Sequence, residues 1–190
     1  TPMQMAVGYS TFANGGYRVN PWLVSRISEQ RGKVLIESKV PTLEDAERTI
    51  DARNAFLMSS LLQEVTRSGT AARAQATLKR HDVYGKTGTT NDSMDAWFAG
   101  FHPTLTAVTW IGYDTPRKLG DRETGGGLSL PVWISFMENA LKGVPVSELS
   151  APEGVVYVGG EWYYDEYVKS SGVSAVGLDD TPEDNTIPLP

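Results

Sequence analysis

The segment Lys86-Thr87-Gly88-Thr89-Thr90 constrains this chain more than any other. Val83 and Tyr84 lead into it as strand formers. A strand places residues i and i+2 on one face. Thr87 and Thr89 are therefore expected to point the same way and to donate to one anion. Gly88 between them has no Cβ, so a ligand or a second backbone can come close. The Lys86 ammonium adds a compact positive charge with three donors. These residue types together suit the holding of a carboxylate beside a reacting carbonyl.

Two other chemistries use similar strings, and both fail on a neighbouring residue. A phosphate-binding P-loop ends in Gly-Lys-Thr, as Gly85-Lys86-Thr87 does, but it needs a glycine where this chain has Arg80. Without that glycine the backbone cannot wrap its N–H groups around phosphate. The D-K-T-G-T string of cation-pumping ATPases uses the aspartate before the lysine as nucleophile. Here that position is Gly85, which offers no acceptor for covalent chemistry.

The flanks predict an antiparallel sheet. Asp95–Phe101 and Leu105–Tyr113 read as the next two strands, joined by the short links Asn91-Asp92-Ser93 and His102-Pro103-Thr104. Short links with turn residues imply antiparallel neighbours. Leu23–Ser28 and Val34–Ile36 predict a hairpin around residues 30–33. Helices are predicted at four places. Thr1, Pro2 and Gln4 form a capping box ahead of Met5, Tyr9 and Phe12. Asp51 caps a helix to Arg67 with Ala55, Met58, Leu61, Leu62 and Val65 on one face. Thr70–Ala76 suits a short helix lying near the Lys86 box, and Leu130–Leu141 a final one. Thr115–Gly127 reads as a polar loop, and Val155–Tyr167 as a small hairpin turning at Gly159-Gly160.

Composition sets outer bounds. The 190 residues carry a formal charge of −6. Residues 1–150 hold 16 basic against 15 acidic side chains, while 151–190 hold one lysine against eight acids. A near-neutral body and an acidic tail give no footprint for nucleic acid. There are no cysteines, which removes disulfides, thiol catalysis and thiolate-bound zinc. The two histidines, His81 and His102, read as loop or strand-end residues. No apolar run reaches the roughly 18 residues of a membrane span. Residues 179–190 are expected to be disordered.

Several segments carry a family resemblance in one order: Thr1-Pro2-Met3-Gln4-Met5-Ala6, Phe12-Ala13-Asn14-Gly15-Gly16-Tyr17, Gly69-Thr70-Ala71, the Lys86 box running into Asn91-Asp92, Asp95-Ala96-Trp97-Phe98, Thr124-Gly125-Gly126 and Leu130-Pro131-Val132-Trp133. Over residues 1–142 the chain resembles the C-terminal half of the transpeptidase domain of class A, bifunctional penicillin-binding proteins. Lys-Thr-Gly is one of the boxes of that serine acyltransferase superfamily. The resemblance implies an α+β (mixed α/β) fold, an antiparallel sheet sandwiched by helices, of which this chain holds the C-terminal portion. It divides the chain into residues 1–143, part of the transpeptidase domain, and 144–190, an acidic tail.

One departure from the family governs the functional expectation. No serine here has a lysine three residues on, and there is no Ser-x-Asn. In family members both precede the position of Thr1. The nucleophile is thus expected on an upstream companion segment of the same protein, with this chain as one wall of the site. The resemblance implies that Lys86 and Thr89 are catalytic, Lys86 through a proton-relay contact and Thr89 through its backbone N–H. Thr87, Gly88 and Thr89 would bind the carboxylate of the substrate or of a β-lactam. Thr90 and Trp97 are possible lining residues, with Trp97 weighed first as core. No cofactor and no metal is implied. The implied partners are that upstream segment, the peptidoglycan stem peptide on its lipid-linked precursor, and β-lactam inhibitors, with no nucleic acid. The implied place is the periplasmic face of the cytoplasmic membrane, anchored by an upstream helix. A D,D-carboxypeptidase or β-lactamase-type hydrolase and a non-catalytic wall scaffold are the alternatives.

Overall fold

The computed structural model describes residues 1–39 and 47–169. Part of the 37–50 connector and the expected disorder at 179–190 therefore lie outside the described residues. The chain divides into two compact units, Thr1–Glu153 and Gly154–Pro190. Residues 144–149 belong to the first unit, to which the hydrogen bonds described below tie them.

The first unit begins with α1, Pro2–Ala13, whose Thr1–Gln4 capping box forms as the sequence predicts. A small exposed hairpin follows, β1 (Arg26–Ser28) with β2 (Val34–Glu37). Next come α2, Ala52–Arg67, capped by the Asp51 side chain, and α3, Arg73–Leu78. The central sheet is β3 (Tyr84–Thr89), β4 (Ala96–His102) and β5 (Leu105–Ile111), antiparallel in that order. The last helix of the unit is α4, Leu130–Ala140.

Period-2 alternation sorts the sheet side chains onto two faces, and helices cover both. On one face Phe98 meets Trp133 of α4 edge-on at 4.8 Å, with Val83, Ala71, Ala74, Leu130, Ile134 and Met137 around them. On the other, Tyr84 stacks on its cross-strand partner Phe101 at 4.9 Å, against Ala13 of α1 and Leu62 of α2. The arrangement is the helix–sheet–helix sandwich that the family resemblance implies.

The stretch read as a polar loop up to Gly127 ends in a wide helical turn, Gly125–Ser129, which leads directly into α4. Thr124 caps it by accepting from the Gly127 N–H at 3.1 Å. Three consecutive glycines have poor helix propensity, so composition alone points to a loop. Close packing on the sheet decides otherwise, as the site shows.

The second unit contains a hairpin of β6 (Val155–Val158) and β7 (Glu161–Tyr164), then α5, Asp165–Lys169. Gly159 and Gly160 both have positive φ, +62° and +98°, the demand of a two-residue turn that follows the strand twist.

Candidate active site

β3 lies at the edge of the three-stranded sheet, with β4 on one side only. Its second residue must be small. Gly85 faces Gly100 across the strands, and a Cβ on Gly85 would come within 2.6 Å of the Phe98 ring. A Cβ on Gly100 would lie 3.0 Å from the Trp133 ring. The glycine before Lys86 thus serves core packing, which is the physical reason no acidic nucleophile stands there.

Past this glycine pair, β3 emerges into solvent. Thr87 and Thr89 lie on one face, as the i, i+2 spacing predicts, and both are partly or fully exposed. Lys86 and Gly88 lie on the opposite face. The ammonium nevertheless returns to the strand edge: Nζ donates to the Thr87 carbonyl at 3.0 Å and stands 3.5 Å from Thr87 Oγ1. The positive charge and the threonine hydroxyls therefore meet at the rim.

The backbone adds a further donor. Thr90 N–H bonds to the Asp95 carbonyl at 3.2 Å, and antiparallel pairs alternate between bonded and non-bonded. Thr89, opposite Ala96, falls in a non-bonded pair, so its N–H is directed away from β4, out of the sheet edge.

Each threonine hydroxyl is held from behind. Thr87 Oγ1 lies 2.9 Å from Thr70 Oγ1, and Thr89 Oγ1 accepts from the Gly125 N–H at 3.0 Å. Thr90 has a different job: its Oγ1 accepts the Asp95 N–H at 2.8 Å and closes the turn between β3 and β4. Thr1 and, from α1, Met5 and Tyr9 join Lys86–Thr90, Trp97 and Ala99 around a groove of about 440 Å³. Trp97, weighed above first as core, is half-buried in this groove, its ring 6.0 Å from that of Trp110.

At the other end of β3 lies a buried charged cluster that sequence reading missed. Arg80 grips Asp82 with two parallel hydrogen bonds, Nε to Oδ1 at 2.9 Å and Nη2 to Oδ2 at 2.7 Å. Asp82 Oδ2 also accepts the Ser147 N–H at 2.7 Å. Thr104 N–H donates to His102 Nδ1 at 3.2 Å. With Nδ1 accepting, the neutral imidazole proton is assigned to Nε2, 3.1 Å from Asp82 Oδ2 and 3.2 Å from the Arg80 Nη2 bound to that same oxygen. Arg80 also donates to the carbonyls of Val144 and Pro145 at 2.7 and 3.0 Å. Tyr84 Oη accepts the Leu149 N–H at 3.2 Å, and burial pushes that phenol up to about 12.

Burial opposes the charge on Asp82. Its Arg80 and Ser147 hydrogen bonds and the nearby positive charge outweigh this and hold the carboxyl below its ordinary value. Burial lowers His102, and the Arg80 charge adds to the effect against the attraction of Asp82. The polar atoms of this cluster are already partnered, and they fasten residues 144–149 to the sheet. No sequence spacing links His102 to Arg80 and Asp82. The alternation of Arg80 and Asp82 next to a strand was the available signal, and it is weak.

Residues 1–138 match the family described as penicillin binding protein transpeptidase domain. The chain belongs to that family. Its curated relatives include penicillin-binding protein 1A of Neisseria flavescens, 44% identical over 95% of this chain and 22% of the relative. That of Pseudomonas aeruginosa is 39% identical over 82% and 24%. The chain thus spans about a fifth to a quarter of the length of these relatives. Both are of the 1A type, in accord with the class A resemblance and with the C-terminal part of the domain. Among solved structures, penicillin-binding protein 1A from Haemophilus influenzae superposes with a TM-score of 0.78 at 30% identity, over 87% of this chain and 32% of that one. PonA1 from Mycobacterium tuberculosis in complex with penicillin V gives 0.63 at 25%, over 84% and 42%. The likeness extends the helix–sheet–helix sandwich to the penicillin-binding fold.

Proposed function

We propose that this chain forms one wall of a serine-type D-Ala-D-Ala transpeptidase site that β-lactams acylate. The observation that carries this reading is the rim of β3. There the Lys86 ammonium, the Thr87 and Thr89 hydroxyls and the outward Thr89 N–H converge on one open edge. Such a set suits a carboxylate next to a carbonyl under attack. The hydroxyls and ammonium take the carboxylate, and the N–H stabilises the oxyanion that develops.

The nucleophile belongs to the upstream companion segment. Its serine Oγ adds to the penultimate D-Ala carbonyl of a stem peptide, and the terminal D-alanine leaves with a proton. The resulting ester is opened by an amine of a second stem peptide, which forms the cross-link and returns the serine proton. Lys86 acts in the proton relay between the walls. A β-lactam enters the same way, but its opened ring stays tethered and blocks the amine. The site is placed on the outer face of the bacterial cytoplasmic membrane. No helix among the described residues is long and apolar enough to cross a membrane, so the anchor, like the serine, is assigned to the rest of the protein.

The reading is tested by exposing the full-length protein to a fluorescent penicillin and digesting it. The expected result is covalent label on a peptide outside residues 1–190. Absence of label, or label on a peptide of this chain, overturns the assignment. A sharper expectation concerns Thr89→Val. Losing one hydrogen bond to a charged group should slow penicillin acylation about ten- to a hundredfold, while Thr89→Ser stays near the parent. Equal loss in both variants would deny the hydroxyl its role.

A further inference from the structure

We propose that Thr70 and the glycine turn at Gly125 are positioning residues, which aim the Thr87 and Thr89 hydroxyl protons at the carboxylate of the substrate. The proposal rests on the reading of the β3 rim above and adds two elements from distant parts of the chain.

A threonine hydroxyl has one proton and two acceptor lone pairs. Gly125 N–H can only donate, so its 3.0 Å contact consumes a lone pair of Thr89 Oγ1 and leaves the single proton for another acceptor. That contact is tightly fixed. A Cβ on Gly125 would fall 2.3 Å from the Trp97 carbonyl oxygen and 2.5 Å from that of Gly88. Only a residue without a side chain lets the turn sit directly against the β3–β4 pair and bring its N–H to Thr89.

Thr87 is constrained from two directions. Lys86 Nζ, which only donates, stands 3.5 Å from its hydroxyl, and Thr70 Oγ1 stands 2.9 Å away. Either threonine can donate in the second contact. Once an anion arrives at the rim, one arrangement supplies it with a proton: Thr70 donates to Thr87, and Thr87 donates outward. Thr70 comes just before α3, on the segment joining it to α2, and Gly125 comes just before α4. The two hydroxyls thus receive their orientation from the helices on one face of the sheet, and the carboxylate meets donors already turned toward it. Preorganised donors gain more than donors that must rotate on binding.

The test compares acylation of the full-length protein by benzylpenicillin and by its methyl ester, which lacks the carboxylate charge. The parent is expected to favour the acid strongly. Thr70→Val should reduce that preference about tenfold, the lower end of what one hydrogen bond to a charged group contributes, by slowing the acid and leaving the ester rate in place. Thr70→Ser should restore the preference. Equal slowing of acid and ester in Thr70→Val would mark the residue as merely structural and overturn the proposal. An unchanged preference, or a serine variant as poor as the valine one, would overturn it too. A parent protein with no preference for the acid would instead overturn the carboxylate reading of the rim itself.

Discussion

Replacing Lys86 by alanine should slow penicillin acylation of the full-length protein by about 10²–10⁴-fold, the range expected when a positioned proton-transfer group is removed. Lys86 is the one lysine or arginine among the described residues that line the groove. Its Nζ also sits between the Thr87 carbonyl and hydroxyl, so the proposed relay and the local positive potential would both be lost with it. The side chain is exposed, so its loss should leave folding stability within about 0.5 kcal/mol of the parent. Stopped-flow acylation and urea unfolding on the same preparation separate the two effects. An acylation rate within threefold of the parent would remove Lys86 from the mechanism.

The largest effect on stability should come from the opposite end of β3. Asp82→Ala leaves the Arg80 guanidinium, the Ser147 N–H and the His102 Nε2–H without their shared acceptor. The Asp82 side chain is fully buried and that of Arg80 nearly so. Breaking a buried pair by removing one partner costs about 3–5 kcal/mol, because the other charge stays behind. Urea unfolding of the full-length protein should report that loss in the domain carrying this chain. A loss below about 1 kcal/mol, typical of a surface pair, would show that water replaces the carboxylate.

The same cluster sets a pH dependence. His102 has a lowered pKa in the fold, so the native state binds fewer protons there than the unfolded chain. Stability from this group is complete above its ordinary value of 6.5 and drains as pH falls below it. Asp82, also lowered, adds a second loss that starts only below its ordinary value of 3.8. Unfolding titrations should therefore show the upper loss vanish in His102→Asn while the lower one persists.

Much of the architecture was legible because local rules and tertiary packing agree. Thr1 and Asp51 cap their helices. Short polar links join β3, β4 and β5 into neighbours, and Gly159-Gly160 turns its hairpin. The shared face of Thr87 and Thr89 follows from strand periodicity alone. Gly125-Gly126-Gly127 departs from its loop-like composition for the opposite reason. Its local propensity is poor, and Gly125 packs directly against Gly88 and Trp97, which lie far from it in sequence.

The sequence by itself determined the donor set at the rim: which residues carry it, their spacing, and the strand that presents them. It also determined the family, through motifs spread in order along the chain. Tertiary structure alone decided which distant groups hold the two hydroxyls from behind. Thr70 and Gly125 lie 17 and 36 residues from the threonines they touch. It alone assembled Arg80, Asp82, His102 and Ser147, which meet across as many as 65 residues. Backbone periodicity fixes direction within a strand, but a hydrogen bond's orientation depends on whichever distant group the folded chain brings to its open lone pair.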